Sequence, residues 1–576
     1  MVKARGPMAW GWLVGALLLG VLAQPRTADA TIRFGNNLLI FGDLESQNLI
    51  RMRQPGTLTP VQQRNTFRIG LEYKFISRGK LGKELPNGGF DVGFIKDASV
   101  YALYRGVWDS VYTWGAGGNL YDIKGDPVGS INDLGIDTRK SMQFPENRLR
   151  EFYVDMNFKD IPFSIRAGRQ QVVWGETDNF RLLDRVNALD LTWHLQQEIE
   201  VQKGWDRIRI PYWMIKGLWR TGDIGPIRDS FFEAYWNPGD WVPAKRGFLP
   251  DYPWSVPLAN PIAPAFPNGL YKGTLFRQGD YSKDPGDNSQ VGARFVGFTG
   301  GVNYSLAYLY GRWAGDDGSN TAFIRALNPE TQQTEIVQAL TNQQLPAEFI
   351  APYTHTIGIS ANYFEEAWTE AVLKTEMVYI FGTPWQDGDK PSPLPGLIFG
   401  TTKRDMWQGM IGFDRPTWIR WLNPNATWLI LGQFFWHYLI DNEHAVGDQI
   451  GFVGNLSPSQ PLQNRSSGVC DPVLAPQNCK ATDRVRDWEA LITLAATSFY
   501  WGGSLVPQIT YVLDPVNSWN MEVFWSLDYY VTPAFIVNVA QRYFINTTDA
   551  PVYETWGVAG LNRGRSETQL RFTYQF

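Results

Sequence analysis

From residue 31 onward this chain has no apolar run of helix-spanning length, because charged, polar or glycine residues interrupt every hydrophobic cluster within about ten positions. What recurs instead is strict alternation. Phe67, Ile69, Leu71, Tyr73 and Phe75 share one parity, and Arg68, Gly70, Glu72 and Lys74 share the other. The same pattern returns at 148–158, 356–363, 373–381 and 523–531. Side chains on a strand point to opposite faces in turn, so such segments have one apolar and one polar face. One of them fits a soluble sandwich as well as a membrane barrel; their number favours the barrel, whose strands touch lipid outside and a polar lumen inside.

The last residues sharpen this reading. Leu570, Phe572, Tyr574 and Phe576 alternate with Gln569, Arg571, Thr573 and Gln575, and the sequence stops on the aromatic. This resembles the terminal strand read by the outer-membrane barrel assembly machinery. Short links are expected at 160–162, 222–226, 299–301, 365–369, 502–503 and 532–533. Long ones are expected at 115–145, 175–205, 238–288, 314–352, 385–403, 441–483 and 547–565. Short turns on one side and long loops on the other characterise an up-and-down barrel. The fold expected is therefore all-β, a transmembrane antiparallel barrel of roughly eighteen strands, with sixteen as second choice.

Residues 1–30 read differently. Lys3 and Arg5 precede an apolar stretch from Met8 to Ala23, and Ala28-Asp29-Ala30 supplies small residues for cleavage, the order of a secretory signal peptide. Residues 31–576 then form one barrel domain, with no linker or repeat dividing them. Aromatic residues make up 14% of the chain, a level suited to two interfacial girdles. The net charge of −5 gives no basic patch for nucleic acid. Cys470 and Cys479 are the only cysteines, set in a polar segment with prolines; in an exported protein they read as a disulfide closing a surface loop.

The densest group of special residues runs from Arg166 to Asp190. It contains Arg166, Arg169, Gln170, Trp174, Glu176, Asp178, Arg181, Asp184, Asn187 and Asp190. Arg166 and Arg169 differ by three positions, so plain alternation puts them on opposite faces. A bulge near Gly168 would turn both into the lumen; otherwise one must find a carboxylate or snorkel to an interface. Alternation stops after Trp174, and the loop 175–205 is expected to fold inward as a charged constriction of the kind that sets pore selectivity. An internal salt-bridge network that only holds the loop is the competing reading.

The series Arg-x-Gly-Arg-Gln, Trp-Gly-Glu and Asp-x-x-Asn-x-x-Asp, over roughly residues 163–191, resembles the motif of an uncharacterised family of proteobacterial outer-membrane proteins. Family members often have Asn-Pro-x-Asp where this chain has Asn187-Ala188-Leu189-Asp190. The resemblance implies a porin-like barrel and traffic of an apolar or amphipathic compound. It also implies two partners, a periplasmic protein resembling lipoprotein carriers and an inner-membrane exporter of the resistance-nodulation-division type.

Other features are less specific. The segment 238–288 mixes many prolines with aromatic residues, including Trp241, Phe248, Tyr252 and Trp254, and is too apolar to lie open in water. It is expected to cap the barrel mouth, offer a hydrophobic ligand a path, or bind a partner. Lumen-parity charges such as Arg68, Lys74, Arg294, Lys374, Glu376, Glu522 and Arg571 are of mixed sign, which predicts weak ion selectivity or a lumen tied by ion pairs. His437 and His355 lack a neighbouring nucleophile motif, and no phosphate loop, metal motif or cofactor motif is present. The function expected is a channel for a hydrophobic or amphipathic small molecule. A passive porin for polar solutes is second, and an enzyme third.

Overall fold

A computed structural model describes residues 31–52, 58–82, 88–114, 143–190, 205–242, 284–313, 347–387, 400–441, 488–516, 519–545 and 565–576, with short segments between some of them. The segment 1–30, Cys470, Cys479 and most of 238–288 lie outside the described residues.

Eighteen strands form the wall. In chain order they are β1 (Leu38–Met52), β2 (Leu58–Ser77), β3 (Ile95–Asp109), β4 (Glu146–Phe158), β5 (Phe163–Gln170) and β6 (Tyr212–Ile224). There follow β7 (Ile227–Asn237), β8 (Gln290–Thr299), β9 (Val302–Arg312), β10 (Tyr353–Glu365), β11 (Ala371–Asp387) and β12 (Gly400–Thr417). The last are β13 (Trp428–Leu439), β14 (Trp488–Thr497), β15 (Leu505–Asp514), β16 (Asn520–Tyr530), β17 (Phe535–Ile545) and β18 (Glu567–Gln575). Each pairs antiparallel with the next, and β18 pairs with β1 in register from Asp43↔Gln575 to Arg51↔Glu567. Gly42 and Phe576 exchange backbone hydrogen bonds of 2.8 and 3.0 Å at the end of that seam. The barrel is closed, and no strand of the wall has a free edge along its full length.

The alternation read in the sequence maps onto the two faces. Phe67, Ile69, Leu71 and Tyr73 of β2 are exposed outside, as are Ile357 and Ile359 of β10, while Thr356 and Ser360 of β10 are buried inside. Aromatic residues gather on the exterior toward the two ends. Phe94, Phe158 and Phe163 stack near the short turns, and Trp407 meets Trp436 edge-on near the long loops. Among the described residues no helix is long and apolar enough to cross a membrane.

Several connections differ from expectation. The links at 53–57 and 515–519 are short although they lie on the long-loop side, and the link at 78–94 is long although it lies on the short-turn side. The loop expected at 175–205 is longer at both ends, because the chain leaves the wall after Gln170 and rejoins it at Tyr212. The bulge expected near Gly168 is absent. β5 pairs without a register shift with both β4 and β6. Gly168 is needed there for close approach: its φ is 138°, and a Cβ would fall 2.2 Å from the Phe152 carbonyl oxygen.

Candidate functional site

The chain from 171 to 190 turns into the barrel and crosses the lumen. Strand geometry cannot provide its hydrogen bonds there, so lumen-facing side chains supply them. Glu376 of β11, fully buried, accepts from the backbone N–H of Glu176 at 2.5 Å and of Leu183 at 2.6 Å. Gln433 of β13 accepts from Asp178 N–H at 3.3 Å, and the Asn179 amide donates to Thr493 of β14 at 2.9 Å. Arg185 donates to Gln408 of β12. The loop therefore spans from β5 to the opposite wall. Two glycines make room for it. A Cβ on Gly358 would meet Leu183 at 2.4 Å, and one on Gly175, whose φ is 109°, would meet the Glu376 carboxylate at 2.7 Å.

The residues singled out in the sequence fall into three groups. The first anchors the loop to the wall. The Trp174 indole is buried and donates to Glu233 of β7 at 2.7 Å, with its ring edge-on to Tyr235. Asp178 receives Lys374 of β11 at 2.7 Å and the Gln433 amide at 2.9 Å, and Lys374 also reaches Asp414 of β12 at 2.7 Å. Glu176 contributes its backbone to Glu376, and burial pushes its carboxyl above its ordinary range against the pull of Asn362 and Lys374.

The second group closes the loop on itself. Asn187 accepts from Val172 N–H and donates to the Ile210 carbonyl, both at 2.8 Å, so one side chain ties the outgoing chain to the returning one. Arg181 donates to the Asn187 carbonyl at 2.7 Å, Asp184 holds Arg209 at 2.6 Å, and Asp190 N–H donates to the Ile208 carbonyl at 2.6 Å. Ala188 N–H donates to the Tyr212 hydroxyl at 3.2 Å, a contact that a proline at that position would lack.

The third group belongs to the wall. Arg166 faces inward, bonded to Asp155 at 2.7 Å with its guanidinium over the Tyr153 ring. Gln170 is buried and donates to the Met214 carbonyl at 3.0 Å. Arg169 does not join Arg166 in the lumen. It pairs with the exposed Trp213, shares its outward parity, and donates to the carbonyls of Pro211 at 3.2 Å and Leu149 at 3.4 Å. With no bulge to turn it, it satisfies its donors on backbone carbonyls where the loop rejoins the wall.

The returning segment is held by a charge cluster that only part of the sequence reading reached. Arg207 is bidentate to Glu45 of β1 at 2.5 and 2.6 Å, and Arg105 of β3 binds Glu146 of β4 while donating to the Arg207 carbonyl at 2.8 Å. Arg150 donates to the carbonyls of Asp206, Arg207 and Arg209. Other lumenal charges pair likewise: Lys74 with Asp97 at 2.9 Å and Arg542 with Glu522 at 3.0 Å.

An apolar surface faces the loop. Val172, Phe180, Leu182 and Leu183 pack with Ile380, Met406, Met410, Phe435, Leu439 and Leu491, all buried inside the barrel, and Phe180 meets Phe435 edge-on. Trp241, from the start of the proline- and aromatic-rich segment, is 2% exposed and joins the same cluster. Parity alone marked Glu376 as inward, yet not its meeting with the loop. His437 is buried against Gln408 at 3.0 Å, and His355 lies on the outer face against the Tyr308 hydroxyl at 2.8 Å. Among the described residues no cluster of His, Cys, Asp or Glu could hold a metal ion.

A closed eighteen-strand antiparallel barrel with an inward loop defines a porin-like architecture. The chain belongs to the family described as proteins of unknown function, DUF1302, whose model matches residues 90–575. No curated protein matches it. Among solved structures it is similar to OmpF of Salmonella typhi in complex with daunomycin, at 11% identity over 95% of this chain and 100% of that one, with a TM-score of 0.35. It is also similar to OccAB1 of Acinetobacter baumannii, at 10% identity over 96% and 98% with a TM-score of 0.42. OccK2 of Pseudomonas aeruginosa in complex with glucuronate is similar at 8% identity over 93% and 97%, with a TM-score of 0.38.

Proposed function

We propose that this protein is an outer-membrane channel that passes a hydrophobic or amphipathic small molecule. The observation that carries the reading is the apolar cluster inside the barrel. A wide aqueous pore has no use for Ile380, Met406, Met410, Leu439 and Leu491 on its inner face, since apolar surface in contact with water costs roughly 25 cal/mol per Å². Here that surface meets an inward loop, so the lumen is narrowed by a core of its own. Displacing Phe180 and Leu183 from it opens a path lined by apolar side chains. The exterior, with exposed apolar side chains and two aromatic girdles, supports placement in a lipid bilayer and hence contact with outer-membrane lipid.

In this reading the Arg166 to Asp190 motif builds the constriction. Trp174, Asp178 and Asn187 act as its anchors, and Arg169 braces the return of the loop from outside. A periplasmic carrier-like protein and an inner-membrane exporter would deliver or withdraw the compound. The test is reconstitution in planar bilayers alongside vesicle uptake of small solutes. Small or intermittent conductance, with exclusion of sugars, is the expected result. A steady, ohmic conductance with free sugar permeation would overturn the proposal in favour of a passive porin.

A further inference from the structure

Below the inward loop, toward the short turns, a cavity opens against β13–β18. Its two sides differ. Leu431, Ala495, Val506 and Phe524, interrupted by Thr497 and Gln508, form one, on β13 to β16. Asp528, Asn538, Gln569 and Arg571 form the other, on β16 to β18, and Ser526 and Tyr530 add hydroxyl groups.

The polar side is a connected network. The Gln47 amide donates to the Gln569 oxygen at 2.6 Å, Gln569 donates to the Asn538 oxygen at 2.8 Å, and Asn538 donates to Asp528 at 2.8 Å. Its charges are compensated. Arg571 lies 3.8 Å from Asp528 and 3.9 Å from Glu45, and Glu45 is in turn bidentate to Arg207 and accepts from Thr573 at 3.2 Å. Two carboxylates thus face two guanidiniums.

We infer that this cavity is a binding site for an uncharged amphiphile, with an apolar body against Leu431, Val506 and Phe524 and a hydroxyl- or carbonyl-bearing edge against Ser526, Asn538 and Gln569. The inference rests on the channel reading and names the class of its cargo. An anionic or cationic head entering here would surrender its hydration to a wall without net charge to replace it, and would have to break an existing pair to gain one. A neutral hydroxyl or carbonyl needs only a donor and an acceptor, and amides and hydroxyls supply both. A pure hydrocarbon would cover the polar side and leave it without water.

The experiment uses the whole protein in lipid nanodiscs and a matched series with one twelve-carbon chain: radiolabelled monolauroylglycerol, laurate at pH 8, dodecyltrimethylammonium and dodecane. Binding is measured above that of empty discs, with raffinose uptake into proteoliposomes as a separate arm. Monolauroylglycerol is expected to bind at least tenfold tighter than either ion and than dodecane. Ala495→Trp, which fills the cavity from its apolar side, is expected to lower that binding at least tenfold while the barrel keeps its heat-modifiable mobility on gels. Should that variant fail to assemble, Val506→Phe supplies the same obstruction with less added volume. Equal or tighter binding of laurate, the quaternary amine or dodecane overturns the inference and leaves the channel reading standing. So does unaltered binding in a folded cavity-filling variant. Absence of binding by all four probes, together with free raffinose passage, overturns both.

Discussion

Glu376 has the most consequential position of any single side chain. Its two oxygens accept the Glu176 and Leu183 N–H groups, seven residues apart on the inward loop, so one carboxylate fixes the loop in two places. A glutamine offers one oxygen and turns an amide donor toward the other N–H. Losing a buried hydrogen bond of this kind costs about 1–2 kcal/mol, roughly a five- to thirtyfold change in population. Glu376→Gln is therefore expected to assemble normally and to show more frequent large-conductance openings in single-channel recordings. Parent-like gating in a folded variant would remove Glu376 from this role. Its inward parity was legible from Leu373 to Phe381, but its partners lie about two hundred positions earlier, a separation at which period-two patterning carries no information.

At the scale of elements, the strands were read correctly where one face is apolar and the other polar, as in β2, β4 and β10. Links were missed where that contrast fades. β1 and β2 extend to the 53–57 link with Gln47, Asn48, Gln62 and Gln63 interleaved on both parities, so the strands on either side of the Pro55-Gly56 pair did not stand out and its turn signal was passed over. Gly168 misled for a related reason. A glycine between two arginines fits a bulge, but here it lets β4 and β5 approach in a plain ladder, and Arg169 solves its own placement through carbonyls. The terminal strand yields a prediction at this scale. Phe576 bonds to Gly42 through its backbone, so deleting it should lower the yield of heat-modifiable barrel several-fold while leaving the conductance of assembled barrels unchanged. Normal yield would argue against a role for the last residue in assembly.

At the scale of the molecule, the lumen is a mosaic of ion pairs around an apolar centre. Lys374 with Asp178, Arg166 with Asp155, Arg207 with Glu45 and Arg542 with Glu522 leave no wall of single sign among the described residues. Any residual ionic current should discriminate weakly between cations and anions. A tenfold KCl gradient across a bilayer is expected to give a reversal potential near zero, and a strongly cation- or anion-selective value would contradict the paired assignment.

The seam between β1 and β18 places the first and last strands of the wall side by side. A ribosome emits the chain from one end, so the two halves of this seam are made furthest apart in time. Until the final strand exists, every shorter product carries two unsatisfied edges and no enclosed interior. Closure is then a single late event, and the inward loop, which needs β1, β11, β13 and β14 around it at once, can find its seat only as the wall comes together.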